Sequence, residues 1–302
     1  MSVKTVLSIS SHVVHGYVGN RSTVFPLQYS GWDVDAIDTT NFSNHPGYGT
    51  FQGKASSPEL VESLFEGISD IIDADWDYNM ILTGYAPNEA VLKVIHQKVD
   101  DIFQKATTRP VWVLDPVLGD NGKLYVSEKV VPVYRAILSS GNVTVVTPNQ
   151  FEFELLSDTP ISNWESLATA FDRFHQHYDV PYVVLSSVIL DNLMYSVGFT
   201  AAENKIFYIP IDKIDCNFNG CGDLFAALLA NAFYSNDSVL TPRVLSDVVV
   251  KLTKILNHSY DCEKQITGSN DIKLVKDIRI VSSRHVLLSD NGNDLADAAT
   301  YL

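Results

Sequence analysis

Apolar, β-branched runs recur along the chain and alternate with segments of helical spacing. Residues 3–8, 34–38, 78–82, 111–114, 143–146 and 183–185 read as strands. The last four are continuous apolar runs, which suit strands covered on both faces. Three stretches between them repeat apolar residues at helical spacing. They are Leu60, Leu64, Ile68, Ile71 and Ile72; then Val91, Val94, Ile95, Val99 and Ile102; then Leu167, Phe171 and Phe174. This alternation predicts a mostly parallel sheet with helices on both sides. Beyond residue 193 the pattern changes. Residues 193–200 and 205–210 read as paired strands around a turn at 201–204, 224–234 as a helix apolar nearly all round, and 244–260 as another helix. Residues 289–299 are polar, and the end of the chain from about residue 286 is expected to be loose. With no internal repeat and no linker rich in Pro, Gly or Ser, residues 1–302 read as one domain.

Composition narrows the possible partners. The 302 residues are 46% hydrophobic, enough for a sizeable core. Aromatics at 11%, with no low-complexity tract, argue against disorder. Twenty-one basic residues against 36 acidic ones give a net charge of −15. That argues against nucleic acid and anionic membranes as partners. A phosphorylated ligand stays open, because backbone N–H groups and bound metal can hold phosphate. No apolar run is long enough for a membrane span, and the N-terminus lacks the pattern of a signal peptide. Cys216, Cys221 and Cys262 are too few for a disulfide framework. A cytoplasmic protein with reduced thiols is expected, with the nucleus open as a second compartment.

Several familiar signatures are missing. There is no Gly-x4-Gly-Lys-Ser/Thr loop and no Gly-x-Ser-x-Gly elbow. Gly47, Gly49 and Gly53 miss a dinucleotide fingerprint by one residue, and Cys216 and Cys221 are spaced wrongly for a zinc pair. Asn219-Gly-Cys-Gly-Asp223, by contrast, opens an apolar helix. Gly220 and Gly222 let a ligand approach the backbone, and the helix start leaves N–H groups free beside a carboxylate. The segment reads as an anion hole with a built-in base, or simply as an acid complementing a helix start.

Other polar residues follow strands, where ligands bind in open α/β sheets. Asp115 ends one strand, and Asp120 lies in the turn-rich Leu118-Gly-Asp-Asn-Gly122. They point to a site or, equally, to a strand end and a turn. Asn149 and Glu152 have the spacing of a capping box, and also the chemistry to organise hydrated Mg²⁺. Ser11, His12 and His15 follow the first strand; hydrogen bonding suits the two histidines better than metal. Asn41–Gly49 and Thr83–Tyr85 add polar and aromatic groups after two more strands.

Taken together, Ser11–Asn20, Phe42-Ser-Asn-His45, Leu82-Thr-Gly-Tyr85, Asp115-Pro-Val-Leu-Gly-Asp120, Thr147-Pro-Asn-Gln-Phe-Glu152 and Gly220-x-Gly-Asp-Leu-Phe-Ala226 resemble the pyridoxal kinase family, eukaryotic branch, of the ribokinase-like superfamily. The resemblance runs from about Val3 to about Ser283. It implies a three-layer α/β/α sandwich with a mostly parallel central sheet flanked by helices. It also implies ATP-dependent phosphorylation of the 5′-hydroxymethyl group of pyridoxal, pyridoxine or pyridoxamine, with Mg²⁺, K⁺ and a homodimer.

By the same resemblance Asp223 is the base, and Gly220, Cys221 and Gly222 form the anion hole. Ser11, Phe42, Pro46 and Tyr85 face the vitamer. Asp115, Asp120, Tyr125, Asn149, Glu152, Ser186 and Phe218 serve ATP, with Asp115 and Glu152 nearest the metal. Three residues depart from the family pattern. Pro46 stands where a ring-contacting Thr is usual, and Cys221 replaces the Thr of Gly-Thr-Gly-Asp. Leu185 stands where a nucleotide-side Thr is common. These departures leave open a related hydroxymethylpyrimidine kinase, or a weakened paralogue that binds vitamer without turnover.

Overall fold

The computed structural model describes residues 3–71 and 78–302; Ile72, one of the helix-marking residues, lies outside them. Ten strands form one sheet: β1 (Lys4–Val13), β2 (Trp32–Phe42), β3 (Gly53–Ala55), β4 (Met80–Thr83), β5 (Val111–Leu114), β6 (Val145–Val146), β7 (Tyr182–Leu190), β8 (Leu193–Thr200), β9 (Lys205–Ile211) and β10 (Thr300–Tyr301). Their order is β10-β9-β8-β7-β6-β5-β4-β1-β2-β3. The six central strands, β2-β1-β4-β5-β6-β7, pair in parallel, and antiparallel strands extend both edges.

Alternate residues feed opposite faces of the sheet. Leu7, Ile9, Ile81, Trp112 and Leu114 pack with one helical layer: α2 (Pro58–Ile71), α3 (Glu89–Lys105), α4 (Val131–Leu138), α5 (Gln150–Ser157) and α6 (Trp164–His177). Val6, Met80, Leu82, Val113 and Val184 pack with the other: α1 (Asn20–Tyr29), α7 (Cys221–Ser235), α8 (Pro242–Thr267) and the short α9 (Arg284–Leu287). The result is the expected layered sandwich around a mostly parallel sheet.

Several boundaries differ from the sequence reading. Strands β1 and β2 run further, to Val13 and Phe42, because they stay paired past a register shift between Ser10 and His12. On α2 the buried side chains are Val61 and Phe65, while Leu60, Leu64 and Ile71 face outward. The chain end is tied down rather than loose. Asn291 is 4% exposed, its N–H donates to Asp247 Oδ1 at 2.9 Å, and its carbonyl accepts from Ser246 at 3.2 Å. Arg243 reaches Asp290 at 2.8 Å, and β10 pairs with β9 at the sheet edge. The polar groups of this segment find their partners on α8, so polarity there does not mean solvation. No described helix is long and apolar enough to cross a membrane.

Candidate active site

The carboxyl ends of the parallel strands are stitched together by hydrogen bonds between their outgoing loops. Gly84 N–H donates to Ile9 O at 2.9 Å, Asp115 N–H to Thr83 O at 2.8 Å, Thr147 N–H to Leu114 O at 2.9 Å and Ser186 N–H to Pro148 O at 3.0 Å. Tyr85 N–H donates to Ser10 Oγ at 3.2 Å, and the Tyr85 carbonyl accepts from Thr39 at 2.7 Å. One edge of the sheet therefore carries the motif residues as a continuous surface.

The entry to α7 closes that surface. Gly220 caps the helix in the left-handed region at φ 78°. A Cβ there would overlap the Tyr17 carbonyl oxygen, so both the angle and the close approach require glycine. Gly222, two residues on, has open space beside it, which leaves the helix start accessible to an anion. Asp223 stands in this first turn, and its carboxylate accepts from the N–H of Gly19, just before α1. Burial pushes its pKa up to about 6, against the pull of that bond and of its own amide. Its environment is thus that of a proton acceptor near neutrality rather than of a solvated helix-start acid.

Asp115 lies within electrostatic reach of both Asp223 and Glu152, and Asp115 and Glu152 are 7% and 4% exposed. Asn149 and Glu152 do form a capping box, with Glu152 N–H donating to Asn149 Oδ1 at 3.0 Å and Asn149 N–H to Glu152 Oε2 at 2.9 Å. The same carboxylate also holds the loop after β5, accepting from Leu118 N–H at 2.9 Å and Gly119 N–H at 3.3 Å. Burial, partly offset by these amides, pushes Glu152 up to about 7. Asp115 is raised well above the usual carboxylate range by burial first, then by Glu152 and Asp223, while the Thr147 hydroxyl opposes the shift. Three acids thus gather at this edge of the sheet, two of them buried and Asp223 half-buried.

That charge pattern fits a cation. Among the described residues no group of three or more His, Cys, Asp or Glu is placed to hold a metal. Both Glu152 oxygens also already accept amides. The fit is therefore to a divalent ion held by one or two carboxylates, with water and phosphate oxygens completing its shell.

The remaining candidates divide into two groups around the acids. On one side, Ser11 packs against Gly19, the Phe42 ring lies 4.8 Å from Phe51, and Pro46 begins a one-turn helix, Pro46–Tyr48. His45 caps that turn, accepting Gly47 N–H at 3.1 Å, and burial lowers its pKa. Pro46 is exposed and has no hydroxyl to offer. Beyond the acids, Asp120 and Tyr125 sit on a small hairpin, Gly119–Asp120 with Lys123–Leu124. Tyr125 is 63% exposed as a residue, yet burial and the nearby Asp120, Glu152 and Cys221 push its pKa up to about 12. Phe218 pairs with Val275, and its carbonyl accepts from the Cys221 thiol at 3.4 Å. Burial raises that thiol to about 11, which keeps it protonated.

Leu185 is the third departure from the family pattern. Its side chain is fully buried in the core, while the neighbouring Ser186 and Ser187 are half-buried. Two contributors escape the sequence reading. Thr147 opens the Thr147–Glu152 motif, but its own hydroxyl carries no local signal. Tyr134 is fully buried on α4, with its hydroxyl 3.5 Å from Gly84 O and its pKa raised well above normal by burial and by Asp115, Glu152 and Tyr85. No local pattern marks it, because its neighbours come from other elements.

Strand order, a glycine-capped helix start with a raised acid, and a paired-acid pocket at the carboxyl edge define a small-molecule kinase of the ribokinase-like fold. The phosphomethylpyrimidine kinase family model matches residues 50–242. Human pyridoxal kinase is 34% identical over 278 residues, 87% of this chain and 88% of its own. BUD17 of Saccharomyces cerevisiae, which carries a provisional pyridoxal kinase name, is 38% identical over 301 residues, 96% of this chain and 94% of its own. The solved structure of Leishmania donovani pyridoxal kinase with ADP and pyridoxine superposes with a TM-score of 0.84 at 31% identity, covering 96% of this chain and 97% of that one. The chain belongs to the pyridoxal kinase family.

Proposed function

We propose that this chain transfers the γ-phosphoryl group of ATP to the 5′-hydroxymethyl group of pyridoxal, pyridoxine or pyridoxamine. The observation that carries the reading is Asp223, a half-buried carboxylate at the open start of α7 whose pKa its surroundings push up to about 6. In this reading Asp223 accepts the proton of the attacking hydroxyl. The N–H groups of Gly220, Cys221 and Gly222 hold the charge that develops on the phosphoryl group. The amide of Cys221 is the same as that of a Thr, so the side-chain change leaves this function in place. Ser11, Phe42, Pro46 and Tyr85 enclose the ring; Asn149, Ser186, Phe218, Asp120 and Tyr125 take the nucleotide.

Asp115 and Glu152 would hold Mg²⁺, which when bound neutralises charge on the phosphates. The family resemblance extends the proposal to K⁺ as an activator and to a homodimer. Sedimentation is expected to give twice the monomer mass, and exchange of K⁺ for Na⁺ to lower the rate. The cytoplasm, with the nucleus as a second site, is the proposed compartment, in keeping with three free thiols; imaging of a tagged chain tests it.

Mass-resolved product analysis decides the activity. Purified protein is incubated with ATP, Mg²⁺ and K⁺ and with each of the three vitamers or hydroxymethylpyrimidine. A phosphorylated vitamer that disappears in folded Asp223→Ala is the expected result. Product from hydroxymethylpyrimidine alone supports the second reading, which the missing Pro46 hydroxyl favours. Vitamer binding without any product supports the weakened paralogue.

A further inference from the structure

Asp277 lies outside all six sequence motifs, yet two segments of the acceptor side, the loops after β1 and β2, converge on its carboxylate. The Tyr48 hydroxyl donates to Asp277 Oδ2. His15 Nε2 lies 3.4 Å from the same oxygen. Gly16, in the left-handed region at φ 95°, packs against Oδ1. Oδ1 itself is buried and has no hydrogen-bond partner among the described residues. The Lys276 ammonium sits 4.8 Å from the Tyr48 ring centroid, so two successive residues grip the same tyrosine.

The chain around Asp277 also holds the entry to α7. Asn217–Phe218 pairs in parallel with Leu274–Val275. Asn217 N–H donates to Lys273 O at 3.0 Å and Asn219 N–H to Val275 O at 3.2 Å. The Asn219 amide donates to Lys276 O at 3.3 Å. Residues 273–277 therefore form a strap. One edge fixes the turn that leads to Gly220 and Asp223, and the other fixes the loops after β1 and β2.

We propose that Asp277 is a positioning residue for the acceptor site, acting through Tyr48. The pair clasps the Pro46–Tyr48 turn to the strap and so sets the enclosure of the acceptor ring relative to the anion hole. The inference rests on the kinase reading for its consequence, but the clasp itself does not. Pro46 gives it weight. A turn headed by proline has no side-chain donor with which to fix itself on the ring, so it must be held from behind. Tyr48 on Asp277 supplies that hold. His15 and Lys276 flank the carboxylate, and Arg279 and Glu263 lie within electrostatic reach of Tyr48.

Two measurements on the full chain test the proposal, using Tyr48→Phe, Asp277→Asn and the double variant. The first is hydrogen–deuterium exchange of residues 44–50 in the ligand-free protein. At least tenfold faster exchange in Tyr48→Phe, with the central strands unchanged, is expected; unchanged exchange overturns the clasp. The second is steady-state kinetics. KM for the vitamer is expected to rise five- to twentyfold, with kcat and KM for ATP within twofold, and the double variant no worse than the worse single one. Unchanged acceptor KM, or additive effects in the double variant, overturns the positioning role. Faster exchange in Tyr48→Phe, alongside a wild type that phosphorylates no vitamer, keeps the clasp and overturns the kinase reading instead.

Discussion

Ionising Asp115, Glu152 and Asp223 together sets two buried negative charges beside a half-buried third. Folding raises all three pKa values, so the stability these groups contribute is complete below their unfolded values, about 4. It is lost as pH rises through the folded values, about 6 for Asp223 and about 7 for Glu152. Asp115→Asn removes one charge without changing volume. It is expected to stabilise the protein at pH 8 by on the order of 1 kcal/mol and to do little at pH 4, while cutting turnover at least a hundredfold. Denaturant titrations at the two pH values, with an assay alongside, check this; lower stability at pH 8 would show that Asp115 has a structural partner. The base role of Asp223 sets the acid limb of the reaction. Since Asp223 must be deprotonated to accept a proton, kcat/KM is expected to fall about tenfold per pH unit below pH 6. At Gly220, even alanine meets the Tyr17 carbonyl and an unfavourable φ, so Gly220→Ala should abolish activity and lower the melting temperature. A near-normal rate in that variant would mean that the α7 entry tolerates movement.

Elements with one apolar stripe are legible in the sequence itself. Val91, Ile95, Val99 and Ile102 mark the buried side of α3, and Leu167, Phe171 and Phe174 that of α6. The hairpin of β8 and β9 is legible too, because its strands and turn have distinct composition. Helix α2 misleads for a physical reason. Leu60, Leu64 and Ile71 keep helical spacing, but so do Val61, Phe65 and Ile68, and only packing selects between two stripes. The last residues mislead because their polar groups are satisfied by α8, far away in sequence. Asn291 carries much of that attachment, with Lys254 Nζ 2.5 Å from its Oδ1 and Asn291 Nδ2 donating to Ser289 Oγ at 2.8 Å. Asn291→Ala is expected to cost about 1–3 kcal/mol and to expose the chain end to protease, with catalysis unchanged. A stability change under about 0.5 kcal/mol would show that β10 holds the segment unaided.

Across the molecule, the sheet brings together what chain order keeps apart. The loops that follow β1, β2, β4, β5 and β6 can be assigned to one edge from strand alternation alone, which is why most of the candidate site is legible. Tyr134 and Asp277 are not, because each acts on groups from several elements at once. The closures are very long: Trp32 Nε1 donates to Asn231 Oδ1 across 199 positions, and Tyr48 meets Asp277 across 229. Asp223 itself depends on an amide at Gly19, near the start of the chain. Closing loops of this size demands entropy before any contact rewards it, and β1 must find β4 across the whole of α2. Refolding from denaturant should therefore return function after structure. Fluorescence from Trp112, in the middle of the sheet, regains its native value first. The ability to turn over substrate follows in a slower phase, when the segment before α1 has met Asp223.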